Sequence, residues 1–251
     1  MKQKIILVLI LTIVLILGLS TVLMARFGQA YIEYRKDEDY DSYGPRIGGT
    51  VGVENKWLMY FAHGRDGNIN ENTFIGTGYT FFKKLYFDIK YDTNDNSDSV
   101  CYKIDYNQKL TESVSFSGEA YYTNYNCNSW SDYDEMVYNA GLKWQLKHGF
   151  AVLVHGYWTT TNVDNSTTNY DSHTFDRVLG LEYQDYKAIY ISGRYHWKDF
   201  DYQNSSLNDS YSHKVTINAS YHFNKHYNVY LTYNFPDTED NEEIFGILYN
   251  F

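Results

Sequence analysis

The chain contains little cysteine, little proline and few basic residues for its length. Its 251 residues include 2 Cys and 2 Pro, and 31 acidic residues against 21 Lys and Arg give a formal net charge of −10. Nucleic-acid binding needs a basic surface, so we expect no nucleic-acid partner. Because there is no Cys-x-x-Cys motif and no Cys/His cluster, the sequence predicts neither a metal site nor a cofactor.

A serine-nucleophile motif is also missing. The sequence has no Gly-x-Ser-x-Gly elbow. The segment Asp171-Ser172-His173, with Asp176 nearby, contains the residue types of a Ser/His/Asp triad. Such a triad is assembled in space, however, and neighbours in sequence predict it poorly. We therefore expect that the protein is not an enzyme.

Aromatic residues, by contrast, are abundant. The chain has 28 Tyr, 14 Phe and 5 Trp, yet its mean hydropathy is −0.52. This combination is unusual for a soluble core. It suits a membrane β-barrel, which needs apolar and aromatic side chains outside and polar ones inside and in its loops.

The first thirty residues have the form of an export signal. Lys2 and Lys4 precede an apolar run over 5–19, and Ala25 and Ala30 are candidate cleavage positions. The alternative is an uncleaved anchor, because the apolar stretch is nearly long enough to span a bilayer. We expect a signal peptide over 1–30, followed by one barrel domain over 31–251.

After residue 30 the sequence shows no helix signal and no domain boundary, and it divides into segments with the two-residue alternation of strands. The fourteen predicted strands are 29–35, 45–53, 57–64, 73–81, 85–92, 100–108, 113–123, 135–146, 150–160, 173–183, 187–198, 213–223, 227–234 and 243–251. Short turns alternate with long, acidic loops, as in bacterial outer-membrane barrels. The predicted fold is therefore an all-β, transmembrane, antiparallel up-and-down barrel of about 14 strands, with 12 as the alternative. The facing of 57–64 and 73–81 stays ambiguous.

Aromatic residues end the apolar faces close to the short turns, which predicts a girdle at the periplasmic interface. These residues are Phe81, Tyr106, Trp144, Phe150, Tyr183, Phe223, Tyr227 and Phe251.

The polar faces of the same strands carry charges of both signs. Such charges must be paired or hydrated, and a water-filled lumen meets that need. The predicted pore-lining residues are Arg46, Asp88, Lys90, Lys103, Asp105, Glu119, Lys143, His155, Asp176, Glu182, Arg194, His196, Lys214 and His222. A lumen plugged by salt bridges is the alternative.

The last nine residues form an apolar strand that ends on an aromatic residue. Gly246, Tyr249 and Phe251 resemble the C-terminal signal of bacterial outer-membrane barrels, although Ile244 stands where that class prefers a polar residue. The resemblance implies recognition by the barrel-assembly machinery. The alternative is that these nine residues are the last strand of a soluble β protein.

Two other stretches carry a resemblance to a porin family. This chain resembles the small monomeric oligogalacturonate-specific porins at residues 30–35 with Pro45-Arg46-Ile47, and at residues 212–215 through 223–227. This resemblance implies twelve strands, an arginine-lined pore and a monomeric diffusion channel.

Cys101 opens one predicted strand, and Cys127 falls in the loop that follows the next strand. Both are expected at the outer end of adjacent strands, so a disulfide between them is possible.

Together these features predict a porin in the outer membrane of a Gram-negative-type bacterium. It would pass small hydrophilic solutes, sugars or ions, with a cation preference from its acidic loops. Outer-membrane lipid and lipopolysaccharide are the expected surroundings. The alternatives are a non-conducting structural or adhesive barrel that acts through those loops, and an outer-membrane hydrolase.

Overall fold

Fourteen antiparallel strands form one closed barrel. The computed structural model describes residues 27–37, 42–53, 56–66, 70–94, 96–128, 131–163, 170–185, 188–203, 210–236 and 242–250. Each strand pairs with its neighbours in the chain, and the first strand pairs with the last. The predicted barrel is thus confirmed, and the twelve-strand alternative is wrong for this chain.

The strands run in chain order, with a 3₁₀ turn, Lys147–Gly149, between β8 and β9. They are β1 (Phe27–Asp37), β2 (Ser42–Val53), β3 (Trp57–Asp66), β4 (Asn70–Phe81), β5 (Leu85–Asn94), β6 (Ser97–Lys109), β7 (Val114–Cys127), β8 (Tyr133–Gln145), β9 (Phe150–Val163), β10 (Tyr170–Gln184), β11 (Ile189–Gln203), β12 (Ser210–His222), β13 (Tyr227–Pro236) and β14 (Glu242–Asn250). Within the described ranges, no helix is long and apolar enough to cross a membrane.

At the end opposite the short turns, here called the outer end, the strands extend further than hydropathy predicts. The expected loops 65–72 and 93–99 shrink to 67–69 and 95–96. Asn94 Oδ1 closes the second connection by accepting hydrogen bonds of 2.8 Å from the backbone N–H groups of Asn96 and Ser97. Apolar alternation stops where the lipid-facing band stops, but backbone pairing continues between polar residues. The prediction that every outer connection is long was therefore wrong.

Strand length varies around the barrel. β9, β10 and β11 have 14, 15 and 15 residues, whereas β3, β5 and β13 have 10 each and β14 has 9. The connections at the other end are short, so the difference appears at the outer end. Five residues at about 3.3 Å each, on strands tilted by about 40°, add roughly 13 Å of height.

The outside of the barrel is apolar and exposed. A soluble monomer rarely shows a continuous apolar surface, whereas a barrel in lipid requires one. The following side chains are between 45% and 61% exposed: Ile32, Phe61, Leu142, Val154, Leu179, Leu181, Ile191, Leu231, Phe245 and Ile247.

Aromatic rings form two belts on this outer surface. Near the short turns, ring centroids are 4.9 Å apart for Phe150–Tyr183 and 5.1 Å apart for Tyr227–Tyr249. Near the outer end, Trp158 stacks on Phe175 at 4.6 Å. On β10 the belts are eight residues apart, which is about 20 Å of height at a tilt of about 40°. The turn-side belt matches the predicted girdle, of which Phe251 lies outside the described residues.

Candidate pore lining

The sheet register decides which side chains face the interior. Paired residues on neighbouring strands share a face, and alternate residues along a strand face opposite sides. Ile32 and Ile47 are 56% and 52% exposed on the outside, whereas their neighbours Glu33 and Arg46 are 6% and 7% exposed. This register places every predicted lining residue on the inner face: Arg46, Asp88, Lys90, Lys103, Asp105, Glu119, Lys143, His155, Asp176, Glu182, Arg194, His196, Lys214 and His222. That they line a conducting pore stays a prediction.

One side of the interior is rich in carboxylates. We call this group on β5 to β8 the acidic wall: Asp88, Lys90, Asp92, Lys103, Asp105, Glu119 and Glu135. Lys103 Nζ lies 2.6 Å from Glu119 Oε2 and 3.3 Å from Asp105 Oδ1. Lys90 Nζ lies 3.3 Å from Asp92 Oδ2. Because five carboxylates face two lysines, the acidic wall has an excess of negative charge.

Asp88 is the most buried carboxylate of the acidic wall. The residue is 8% exposed, and Tyr60 Oη donates a 2.5 Å hydrogen bond to Asp88 Oδ2. Its other oxygen, Oδ1, is buried and has no donor among the described residues. Two more buried acceptor atoms are without a described donor: Asn72 Oδ1 and Asp92 Oδ1.

A cavity of about 530 Å³ lies against the acidic wall inside the barrel. It extends from Asp88 to the outer hairpin at Asn94 and Ser97. Polar and charged groups dominate its lining, and the rings of Tyr121 and Tyr125 contribute to it. The full lining is Asn72, Asp88, Lys90, Asp92, Asn94, Ser97, Ser99, Cys101, Lys103, Tyr121, Thr123, Tyr125 and Glu135.

A second charged group, on β8 and β10 to β12, has the opposite balance. We call it the basic wall: Lys143, Asp176, Glu182, Arg194, Lys198 and Lys214. Glu182 accepts hydrogen bonds from Lys143 Nζ and from Arg194 Nη2, the latter at 3.3 Å. Asp176 Oδ2 lies 3.0 Å from His196 Nδ1. Four cationic side chains against two carboxylates leave this side positive, so the interior is polarised from one wall to the other.

Inward-facing tyrosines lie over glycines of the neighbouring strand. Tyr230 on β13 covers Gly246 on β14, and its Oη donates a 2.8 Å hydrogen bond to Glu33 Oε2 on β1. Tyr60 on β3 likewise covers Gly76 on β4 and reaches Asp88 on β5. A glycine is required beneath each ring, because a Cβ there would overlap the ring. Each tyrosine thus joins three consecutive strands.

The register also settles the two strands whose facing was ambiguous. On β3, Trp57 and Phe61 face out while Tyr60 and Ala62 face in, and on β4 Phe74 faces in. Apolar and aromatic residues occupy both faces here, so hydropathy alternation could not distinguish them.

The charged interior residues that were absent from the predicted lining include Glu33, Asp92, Glu135 and Lys198. Each was available from strict alternation, since Glu33 stands between the outward Ile32 and Tyr34. Asp92 is the last residue of the predicted strand 85–92, two residues after Lys90 on the same face.

The possible disulfide is not present. Cys101 and Cys127 are both free thiols. Cys101 pairs with Thr123 and Cys127 with Ser97, so the two are four residues apart along the ladder, or about 13 Å. A disulfide requires Cα atoms within about 7 Å. The prediction failed because Cys127 belongs to β7 itself and not to the loop beyond it.

The three residues of the predicted assembly signal occupy different environments. Gly246 faces inward beneath Tyr230, and Tyr249 faces outward in the aromatic belt. Phe251 lies outside the described residues. Their recognition by an assembly machinery stays a prediction.

An all-antiparallel closed barrel with an apolar outside and a charged interior defines a porin-type transmembrane barrel. Several solved structures share this fold. They include a loop L8 deletion mutant of OmpT, an outer membrane protein of Vibrio cholerae, with a TM-score of 0.54 at 10% identity over 90% of this chain and 98% of that one. The NanC porin has a TM-score of 0.54 at 10% identity over 88% and 98%.

A third solved structure is OccAB4 of Acinetobacter baumannii, with a TM-score of 0.50 at 9% identity over 86% of this chain and 67% of that one. No protein-family model matches the chain, and no curated protein sequence matches it. At these identities the likeness establishes the porin-like fold. The arginine-lined pore implied by the resemblance is not seen among the side chains that the structure describes, where the inward-facing arginines are Arg46 and Arg194.

Proposed function

We propose that the protein is an outer-membrane porin that passes small hydrophilic solutes by passive diffusion as a monomer. The observation that carries this proposal is the polar cavity of about 530 Å³ inside a closed barrel. A barrel of 14 strands is wider than the filled eight-stranded ones, and its charged inner groups need water or counter-charges.

We further propose a mild preference for cations. The support is the excess of carboxylates on the acidic wall, together with the acidic composition of the connections at the outer end, for example Glu38, Asp39 and Asp41. A negative field at the mouth raises the local concentration of cations and lowers that of anions. Lipopolysaccharide around the barrel and the barrel-assembly machinery are the proposed partners.

Planar-bilayer recording of the purified, refolded full chain tests both parts. Discrete conductance steps are expected, and a salt gradient should give a reversal potential of cationic sign. The absence of steps from protein that is folded, as judged by the altered gel migration of unheated samples, would refute the porin. A reversal potential of anionic sign would refute only the cation preference.

A closed structural or adhesive barrel is the second candidate. It is favoured by inner side chains that are almost inaccessible, such as Ser192 at 1% and Val178 at 2% exposure. This function predicts no conductance, and it predicts lost adhesion to the relevant surface when the connections 128–132, 164–169 and 204–209 are shortened. Conductance that survives with unchanged adhesion would exclude it.

A further inference from the structure

The cavity against the acidic wall is more than a widening of the lumen. Its two lysines are already paired, Lys90 with Asp92 and Lys103 with Asp105 and Glu119. Glu135 lines the same cavity, and within the part of the chain that the structure describes its charge is offset by the attraction of Lys198, which does not line the cavity. The negative charge of this cavity is therefore not balanced by the side chains that line it.

Buried acceptor atoms without donors indicate what kind of ligand the cavity would bind. Asp88 is more than nine-tenths buried, and its Oδ1 has no described donor. The same holds for the buried Oδ1 atoms of Asn72 and Asp92, which line the cavity as well. A buried acceptor without a donor costs about 1–3 kcal/mol, so a ligand that brings N–H donors to these side chains, once they turn towards the cavity, is favoured here.

Two observations favour an organic cation over a bare metal ion. First, no group of three or more His, Cys, Asp or Glu side chains in the described ranges converges as metal ligands do. Second, Tyr121 and Tyr125 present rings to the cavity, and Tyr125 is stacked on Tyr133 at 4.3 Å. Aromatic rings next to carboxylates are suited to ammonium groups, through cation–π attraction and charge-assisted hydrogen bonds.

We propose that this cavity is a saturable binding site for small organic amines, which occupy it as they pass through the channel. The proposal rests on the proposed porin function and names a class of solute for it. Glu135 and Asp88 bind the ammonium group, and the tyrosine rings contact its carbon chain. The neighbouring basic wall disfavours solutes with a carboxylate by shifting them away from the cavity's side of the lumen.

Three four-carbon probes of similar size carry different charges on their end groups: putrescine is dicationic, 1,4-butanediol is neutral and succinate is dianionic. Putrescine is expected to reduce the potassium current of the reconstituted full chain in a saturable manner. The diol and succinate should leave it unchanged at the same concentration. Isothermal titration of putrescine into the folded protein in detergent measures binding without conductance.

The matched variants are Glu135→Gln in the cavity and Asp176→Asn on the basic wall, which remove the same charge from the same lumen. Loss of one contact with the ammonium should raise the half-blocking concentration of putrescine about fivefold for Glu135→Gln. Asp176→Asn should change it less than twofold.

The outcomes separate the two proposals. Channels that putrescine does not block, with no heat of binding, overturn the amine site and leave the porin standing. Binding of putrescine to a protein that does not conduct overturns the porin and keeps the site. Equal effects of the two variants would show a general charge effect, which also overturns the site.

Discussion

Replacing Gly246 by alanine tests the ring-over-glycine contact that closes the barrel. A Cβ on Gly246 would overlap the far end of Tyr230 and would lie 2.7 Å from its Cε1. The ring must then move, and the 2.8 Å hydrogen bond from Tyr230 Oη to Glu33 Oε2 is lost. Glu33 is 6% exposed, so water cannot readily replace the lost donor.

The expected cost is about 2–3 kcal/mol, because a hydrogen bond to a charged group contributes about 1.5–3 kcal/mol and overpacking adds to its loss. Gly193→Ala is the control, since a Cβ there meets nothing within 4 Å. Gly193 faces outward, so its replacement should change the free energy of unfolding by less than about 0.5 kcal/mol.

Equilibrium urea unfolding in lipid vesicles, followed by tryptophan fluorescence, gives both free energies. Tyr230→Phe completes a double-mutant cycle: with the hydroxyl already gone, Gly246→Ala should cost less than it does in the parent protein. Equal stabilities of the Gly246→Ala and Gly193→Ala proteins would refute the reasoning. So would full additivity in the cycle.

Three further predictions concern export, closure and the cysteines. The mature chain should begin directly after Ala25, because β1 starts at Phe27 and a later cut would remove paired residues; an intact mass that lacks part of β1 would contradict this. Deleting Phe251 should lower the fraction of protein inserted in the membrane more than it alters the conductance of what inserts, and normal insertion would count against the assembly signal. With Cys127 replaced by serine, Cys101 should react faster with a cationic thiosulfonate than with an anionic one. The reaction should lower the conductance of the channel. Equal rates for the two reagents would argue against a negative cavity.

The lipid-facing pattern made most of the fold predictable. Each strand had to put apolar residues towards lipid at every second position, and this requirement located all fourteen strands, including the pairing of β14 with β1. Above the membrane a strand no longer needs apolar residues at every second position. Both faces of β5 and β6 are polar there, so hydropathy could not predict where the strands end near Asn94.

The site was less predictable than the fold. Alternation assigns a side chain to the interior but not to a partner, so the sharing of Glu182 by Lys143 and Arg194 needed the register. The division into an acidic and a basic wall depends on which strands are neighbours around the circle. The tyrosines that cover glycines could not be predicted, because the sequence does not distinguish an inward-facing aromatic residue from an outward-facing one.

The unequal strand lengths have a consequence for how the protein meets its surroundings. The wall formed by β9 to β11 rises above the side formed by β13, β14 and β3, so the rim of the barrel is cut obliquely. A large particle that approaches from outside, such as an antibody or a bacteriophage fibre, would touch the tall wall first. In the proposed porin, small solutes would cross the rim on the side where the paired strands end lower, so a ligand docked on the high side would leave that side open.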